Sequence, residues 1–349
     1  MRNFRYGRLE DYEGLSPENL EKMRVKNTGC YNCAARCGKV HVVKYGPYAG
    51  AESEGPEYES CWSFTGPVDQ TCIEATVAAD QLCDDLGLDT ISTGGVIGFA
   101  FELYEKGILT KNDIVGLELV YGNHQAMIAL IRKIAMREGI GDLLAEGVLR
   151  CSQKVGEGTE YFAMHVKGLE MAGYEPRGLK ATGFGYATNT IGGSHNNGAL
   201  ALQELGIPIP RALDRLAEDG KADIVIYNQN QAALRKVGIV CAFAVSWGDW
   251  YKRLFNQMLV AATGIKEFED WDYLHQVSER IWNLDRAFNN REGFDRKYDT
   301  LPPRIMVEPL HTKGGPGEGE IIKGLERFLD EYYKLEVGLK TVSQVHKSS

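Results

Sequence analysis

The chain has little that would suit it to nucleic acid or to a membrane. Its 349 residues carry 39 Lys and Arg against 48 Asp and Glu, a net charge of −9, so no basic excess is present to neutralise phosphates. No apolar run is long enough to span a bilayer, and residues 1–4 do not resemble the start of a signal peptide. We therefore expect a cytoplasmic protein that binds neither nucleic acid nor membrane.

Strand-like runs are also scarce, and no internal repeat is present. Only residues 39–44 and 305–308 resemble strands, whereas segments with helical caps and terminal glycines dominate. The predicted helices run from Pro17 toward Asn27, over 69–86, from Thr93 or Gly94 to 107, and over 124–137, 142–155, 210–218, 222–237, 251–262, 270–289 and 317–334. The pattern predicts a mainly α protein with two helical domains, 1–162 and 163–349.

Three of the eight cysteines are clustered. Cys30, Cys33 and Cys37 are spaced C-x2-C-x3-C. A zinc site would need a second C-x2-C pair, which the chain lacks, and radical-SAM enzymes have the reverse order of spacings. A [4Fe–4S] cluster commonly takes three thiolates from one tight loop and a fourth from a distant residue. The spacing therefore predicts such a cluster, and with it a role in electron transfer.

The fourth ligand has several candidates. Cys72, Cys83 and Cys151 lie in predicted helices, where a cysteine usually serves as a small buried hydrophobe. Cys61 and Cys241 lie outside that pattern, and spacing alone does not choose between them. At this stage the fourth ligand is open.

Further motifs, together with the cysteine loop, resemble the tungsten-containing aldehyde ferredoxin oxidoreductase family. In chain order they are EGPEYES at 54–60, DDLGLDTISTGG at 84–95, ELYEKG at 102–107, YEPRG at 174–178, and GYATN at 185–189 leading to GGSH at 192–195. The resemblance covers nearly the whole chain. It implies two mostly helical domains that close over a β-rich first domain holding two pterins. Because the chain begins just before the cysteine loop, we expect the second and third domains only, without the N-terminal pterin-binding domain.

The resemblance also implies which residues hold the cofactors. The cluster ligands it implies are Cys30, Cys33, Cys37 and Cys241. The pterin-contacting residues it implies are Asp84, Leu88, Asp89 and Val240. The second copy of the pterin motif departs from the family pattern, because Arg235 and Lys236 stand where an acid is expected and the glycine is shifted by one residue. Without the family, Asp84 would be interpreted as a solvated charge at a helix end.

The resemblance assigns the acid and base chemistry to Glu59 and His195, with Tyr174 as an assisting hydrogen-bond donor. Taken alone, Glu59 would be part of an acidic surface loop and His195 a structural histidine. The reaction implied is oxidation of an aldehyde to a carboxylic acid at a tungsten (or molybdenum) bis-pterin, with electrons passing through the [4Fe–4S] cluster to ferredoxin. Residues 78–81 replace the Glu-x-x-His pair with which some members bind a metal between subunits, so no such metal is expected.

Three alternatives remain open. The chain could be a truncated or split-gene member, active only with a separate N-terminal pterin-binding subunit. It could be an Fe–S electron-transfer or scaffold subunit without tungsten chemistry, which the retention of Glu59 and His195 disfavours. It could also reduce an aromatic acyl thioester, although the motifs around those two residues favour aldehyde chemistry.

Overall fold

The computed structural model describes residues 1–245 and 250–335, and the chain is mainly α-helical, which confirms the predicted fold class. The α-helices, in chain order, are α1 (Pro17–Glu21), α2 (Tyr58–Thr65), α3 (Ile73–Leu86), α4 (Thr90–Glu105), α5 (His124–Met136), α6 (Ile140–Leu144), α7 (Gly147–Val155), α8 (Lys180–Thr188), α9 (Ala222–Val237), α10 (Ala242–Val245), α11 (Trp250–Thr263), α12 (Trp271–Arg291), α13 (Pro303–Val307) and α14 (Leu325–Leu335). No helix within the described ranges is both long and apolar enough to cross a membrane.

Two small antiparallel sheets accompany the helices. The first has the order β1 (Arg24–Thr28), β2 (Gly38–Val42) and β3 (Glu52–Ser53), and the second is the hairpin of β4 (His165–Val166) and β5 (Leu169–Glu170). In the first sheet Thr28 pairs with Gly38, so residues 29–37 form the connection between β1 and β2. That connection carries all three clustered cysteines.

The chain divides into two compact units. Unit 1 comprises Met1–Gly178 and Leu301–Ile321, and unit 2 comprises Leu179–Thr300 and the chain from Ile322 onward. The domain boundary predicted between residues 162 and 163 stays a prediction.

The core of unit 1 surrounds α4, whose residues 96–103 are all buried. Helix α4 packs against α2, α5 and α7. At Gly94 the backbones of α4 and α2 nearly touch, because a Cβ there would lie 2.3 Å from the Ser63 carbonyl oxygen. A buried ion pair between Arg304 and Glu102, 2.6 Å apart, joins α13 to the same helix. This close packing fixes the position of α2, which matters for the candidate site.

The core of unit 2 surrounds α9, which packs against α8, α12 and α14. The Trp282 indole donates to the Tyr332 hydroxyl at 3.0 Å, and that hydroxyl donates to Gln229 Oε1 at 2.8 Å. The rings of Phe184 and Phe328 stack with their centroids 4.3 Å apart. These contacts link α8, α9, α12 and α14 around one interior.

The structure confirms the helices with the strongest patterns, α5, α9 and α12, and the strand β2. The predicted extension of the first helix toward Asn27 is wrong, because the chain leaves α1 after Glu21 and enters β1 to pair with β2. The predicted strand at 305–308 is also wrong, because Pro303 begins the short helix α13.

The predicted helix at 210–218 is absent from the structure, and its carbonyl groups have other partners. The Asp214 carbonyl accepts from Lys221 Nζ at 2.6 Å, and the Arg215 carbonyl accepts from the Lys180 N–H at 3.0 Å. Other boundaries also differ from prediction. Helix α3 begins later, at Ile73, and α4 begins earlier, after its cap Asp89. The 142–155 segment is split into α6 and α7, and α14 begins only at Leu325.

Candidate functional site

The cysteine loop holds its three thiols at or near the surface. Cys30 and Cys37 are exposed and Cys33 is half-buried, and the Cys33 N–H donates to the Cys30 carbonyl at 3.1 Å to form a turn. Three thiols in one short connection supply three of the four donors that a [4Fe–4S] cluster needs. However, nowhere in residues 1–245 and 250–335 do three His, Cys, Asp or Glu side chains converge as a ligand group. The loop therefore supplies suitable donors without holding them in a ligating arrangement.

The two candidates for a fourth ligand have different surroundings. Cys61 lies in α2 with Sγ 3.7 Å from the Pro56 carbonyl, and burial raises the pKa of its thiol to about 12. Cys241 is exposed and lies between α9 and α10 in unit 2. Of the two, Cys241 is the more accessible thiol. Cys83 and Cys151 are fully buried in the core of unit 1, as predicted for structural cysteines.

The C-terminal end of α3 forms a tight left-handed turn. Gly87 has φ +68°, its N–H donates to the Asp84 carbonyl at 3.3 Å, and the Leu88 N–H donates to the Cys83 carbonyl at 2.9 Å. This is a Schellman motif, in which glycine is favoured at the left-handed position. It presents Asp84 and Gly87 at the surface, with Leu88 half-buried beside them.

Two carboxyl groups at this helix end have distinct roles. Asp89 caps α4, because its Oδ1 accepts from the Ser92 N–H at 2.7 Å. Burial, followed by the nearby carboxylates of Asp80 and Asp85, raises the pKa of Asp84. A carboxyl group among other acids is stabilised by N–H donors, which the edge of a pterin supplies. The residues at this end therefore fit the edge of such a ligand.

The C-terminal end of α9 in unit 2 has the same turn with different residues. The Ile239 N–H donates to the Lys236 carbonyl at 3.1 Å, and the Val240 N–H donates to the Arg235 carbonyl at 3.0 Å. Ile239 occupies the left-handed position with φ +50°. Lys236 therefore corresponds to Asp84, Ile239 to Gly87 and Val240 to Leu88. Val240 is half-buried against the cluster that contains Leu234.

Glu59 lies in the first turn of α2 and is 8% exposed. Its Oε2 accepts a hydrogen bond from the Gly173 N–H at 2.8 Å, across 114 positions of sequence. Burial raises the pKa of Glu59 to about 7, and the Gly173 bond opposes that shift only in part. A carboxyl group with a pKa near neutrality can both accept and release a proton at physiological pH.

Tyr174 lies beside this carboxyl group, in the segment that also provides the Gly173 N–H. Its ring centroid is 5.6 Å from that of Tyr58, the first residue of α2. Burial, and next the charge of Glu59, raise the pKa of Tyr174 to about 12. The phenol therefore stays protonated and keeps its O–H as a hydrogen-bond donor.

His195 lies in unit 2, in an irregular segment that follows α8. Burial lowers the pKa of its imidazole to about 4, so the ring is neutral at pH 7. The Leu200 N–H donates to the His195 carbonyl at 3.2 Å, which fixes the backbone after the histidine. A neutral ring has one N–H donor and one acceptor nitrogen.

A network that the motifs did not reveal anchors this segment. Asn189 Nδ2 donates to the Ser194 carbonyl at 2.7 Å, and Asn197 Nδ2 donates to Asn189 Oδ1 at 2.6 Å. Lys236 Nζ donates in turn to Asn197 Oδ1. Asn189 belongs to the GYATN motif, and this was the available signal, but Lys236, which reaches it only through Asn197, lies in a distant part of the sequence.

Each unit carries its own part of the predicted set. Unit 1 contains the cysteine loop, Glu59 beside Tyr174, and the acidic end of α3. Unit 2 contains His195, and it contains Val240 and Cys241 after the end of α9.

A mainly helical chain with these features is a member of a defined oxidoreductase family. Residues 1–339 match the family model described as aldehyde ferredoxin oxidoreductase, domains 2 & 3. The chain therefore belongs to the aldehyde ferredoxin oxidoreductase family and represents those two domains, which confirms the resemblance found in the sequence.

Individual relatives agree with this assignment. The tungsten-containing aldehyde ferredoxin oxidoreductase of Pyrococcus abyssi is 38% identical over 342 residues, covering 96% of this chain and 54% of that protein. The protein of the same name from Thermococcus kodakarensis is 37% identical over 340 residues, with the same coverage of each chain. The aliphatic sulfonate oxidoreductase, WOR-like subunit, of Pyrococcus furiosus is 31% identical over 345 residues, covering 94% and 50%. The chain thus spans about half the length of the curated relatives it matches.

One solved structure has a similar fold. It is the active site complex BamBC of benzoyl coenzyme A reductase in complex with 1,5-dienoyl-CoA, with a TM-score of 0.63 and 22% identity. The match covers 91% of this chain and 51% of that one. At this identity the likeness concerns the fold alone.

Proposed function

We propose that this chain is the helical part of an oxidoreductase that oxidises aldehydes to carboxylic acids at a tungsten (or molybdenum) bis-pterin. Electrons would leave through a [4Fe–4S] cluster to ferredoxin. Family membership and the names of the relatives support the class of reaction. The single observation that carries the proposal is Glu59, a buried carboxyl group whose pKa is raised to about 7.

The proposed reaction needs a group that handles protons at neutral pH. An aldehyde and one water give a carboxylic acid, two electrons and two protons. When bound, the metal and its pterins would supply a Lewis acid and a two-electron acceptor. Glu59 would take a proton from the attacking water and later release it, which its pKa allows without large cost in either direction.

His195 would act as a hydrogen-bond donor to the aldehyde oxygen, where negative charge develops during attack by water. Because its pKa is lowered to about 4, the ring is neutral at pH 7 and donates through its one remaining N–H. Burial raises the pKa of Tyr174 to about 12, so its hydroxyl stays protonated and would provide a second donor.

The cofactor-holding residues in this proposal are those that the motifs identified. Asp84, Leu88 and Asp89 would contact one pterin at the end of α3, and Val240 would contact the other at the end of α9. The proposed cluster ligands are Cys30, Cys33, Cys37 and Cys241. The three loop thiols would have to be drawn together on binding, since they do not converge in the described structure.

The whole enzyme in this proposal includes protein beyond this chain. The chain covers 54% of the Pyrococcus abyssi relative. In this proposal the rest of the pterin cradle lies in N-terminal pterin-binding protein outside these 349 residues, which would complete the active complex. Activity of this chain by itself is not part of the proposal.

The test is made on the complex purified without oxygen from its native cells, with this chain carrying Glu59→Gln. Metal analysis gives iron and tungsten per chain, and aldehyde-dependent reduction of ferredoxin gives turnover. We expect Glu59→Gln to lower kcat by about 100-fold or more with metal content unchanged, the range typical for loss of a general base. The matched control is Glu138→Gln, an exposed glutamate in unit 1.

Two outcomes would contradict the proposal. Unchanged turnover in Glu59→Gln would remove Glu59 as the base. Iron without tungsten or molybdenum in the native complex would instead identify an electron-transfer subunit that lacks pterin chemistry.

A further inference from the structure

The charge reversal at the end of α9 has a structural counterpart. Where α3 ends on the acid Asp84, the equivalent turn of α9 carries Lys236, whose Nζ donates to Asn197 Oδ1. Burial lowers the pKa of Lys236, and the carboxylate of Asp285 on α12 partly offsets this. Lys236 as a whole is exposed, and its amino group contacts the segment that contains His195.

The contact continues through two buried amides. Asn197 is 2% exposed and Asn189 is fully buried. Asn197 Nδ2 donates to Asn189 Oδ1 at 2.6 Å and to Thr190 Oγ1 at 3.0 Å, and Asn189 Nδ2 donates to the Ser194 carbonyl at 2.7 Å. The Ser194 carbonyl belongs to the peptide bond that enters His195. The chain of hydrogen bonds therefore holds the backbone on both sides of the histidine.

The direction of these hydrogen bonds, from Lys236 through Asn197 to Asn189, depends on a donor at position 236. A charged lysine amino group donates only, so it orients the Asn197 amide with Oδ1 toward α9 and Nδ2 toward Asn189. An aspartate at 236 would present acceptors to Asn197 and favour the flipped amide. The flipped Oδ1 would then face Asn189 Oδ1, so the hydrogen bond between the two amides would be lost, and Asn189 Oδ1 would keep only the Ile191 N–H as a donor.

We propose that Lys236 is a positioning residue that holds the segment 189–197, and with it His195, through Asn197 and Asn189. The anchoring itself rests on the hydrogen bonds of unit 2, whereas its consequence for turnover rests on the function proposed above for His195. Lys236, which replaces the acid of the second pterin motif, thus anchors the segment that contains His195.

The first experiment measures amide hydrogen exchange by mass spectrometry on the full chain. The variant is Lys236→Met, which keeps the length of the side chain and removes the donor, and Lys236→Arg restores a donor. Lys266→Met, at an exposed lysine of the same unit, is the control. Peptides covering 189–198 should exchange about 10- to 100-fold faster in Lys236→Met, the factor expected for loss of a hydrogen bond to a charged donor. Lys236→Arg should stay within about threefold of the parent chain.

Peptides from α14 provide the internal reference. Equal acceleration in α14 and in 189–198 would report general loosening of unit 2 and would overturn the proposal. Unchanged exchange of 189–198 in Lys236→Met would overturn it directly.

The second experiment measures turnover in the assembled complex. Lys236→Met should lower kcat more than it raises KM, and Lys236→Met combined with His195→Gln should be no slower than His195→Gln alone. If the combined variant were slower by the product of the single effects, Lys236 would act independently of His195 and the positioning role would be wrong. If His195→Gln were fully active while 189–198 still loosened in Lys236→Met, the function proposed for His195 would fail and the anchoring would stand.

Discussion

At the scale of single residues, burial shifts the pKa values of two candidate site residues in opposite senses. It raises the pKa of Glu59 to about 7 and lowers the pKa of His195 to about 4. The cause is the same in both cases, because a buried environment disfavours whichever form is charged. Near pH 7 the imidazole is therefore neutral, and the carboxyl group is close to its midpoint.

The raised pKa of Glu59 predicts a cost in stability that grows with pH. The folded chain binds this proton more tightly than the unfolded chain, where the value is near 4.5. The stabilisation is therefore complete below about pH 4.5 and is lost as pH rises through 7. Glu59→Gln cannot ionise, and its amide oxygen can still accept from Gly173. We expect the free energy of unfolding of the variant to exceed that of the parent chain by about 1–3 kcal/mol at pH 8 and to match it near pH 4.

Urea unfolding of the full chain at the two pH values measures this difference. Glu138→Gln, whose side chain is exposed, should show no such dependence on pH. A Glu59→Gln chain that is less stable than the parent at pH 8 would show that the carboxylate is favoured in the folded state, contrary to the pKa given above.

At the scale of secondary-structure elements, α3 and α9 end in the same hydrogen-bonded turn with different residues at its left-handed position. The first uses Gly87 at φ +68° and the second uses Ile239 at φ +50°. A β-branched residue in that region is strained, at a cost of about 1–2 kcal/mol. Such strain persists only where surrounding structure enforces the turn, here by bonds to Arg235 and Lys236.

Substitutions at the two left-handed positions should therefore have opposite effects on the stability of the chain. Ile239→Gly relieves the strain and loses little packing, because Ile239 is 93% exposed. After the entropic cost of glycine, we expect a net stabilisation of up to about 1 kcal/mol. Gly87→Ala is the matched change: its Cβ would meet no atom within 4 Å, so its expected cost of about 1 kcal/mol is purely conformational. Thermal unfolding of both variants is the measurement. Destabilisation by Ile239→Gly would indicate that the isoleucine side chain itself is needed.

Elements with a strong local pattern were predictable, and elements whose backbone groups pair at long range were not. The capping residues and the apolar periodicity that predict α5, α9 and α12 lie within or directly beside each helix. The segment at 210–218 has a helical pattern as well, but its carbonyls bind Lys221 and Lys180 instead. Local propensity differs little between helix and loop, so a few tertiary hydrogen bonds decide the outcome.

At the scale of the whole molecule, the chain is the part of a larger family architecture that carries the clustered thiols. If Cys30, Cys33, Cys37 and Cys241 are the cluster ligands, the full chain should bind about four irons after anaerobic reconstitution with iron and sulfide. Cys33→Ser and Cys241→Ser should each lower the iron bound by at least half and weaken the absorbance near 400 nm. Cys72→Ser, at a half-buried cysteine outside the set, should not.

Cys61→Ser tests the alternative that Cys61, and not Cys241, is the fourth ligand. Cys61 lies outside the ligand set proposed above, so we expect full iron content in this variant. A loss of iron in Cys61→Ser with none in Cys241→Ser would reverse the assignment.

The sequence by itself determined the family, the mainly helical fold and the place of the three clustered thiols, because each depends on local pattern or short spacing. It also singled out Glu59 and His195 as candidates through their motifs. Only the tertiary structure decided how those groups are protonated, because burial is set by the packing of distant segments, such as Gly173 against Glu59. It likewise decided that Lys236 contacts Asn197, 39 positions away, since a hydrogen bond at that separation exists only once α9 has packed against the His195 segment.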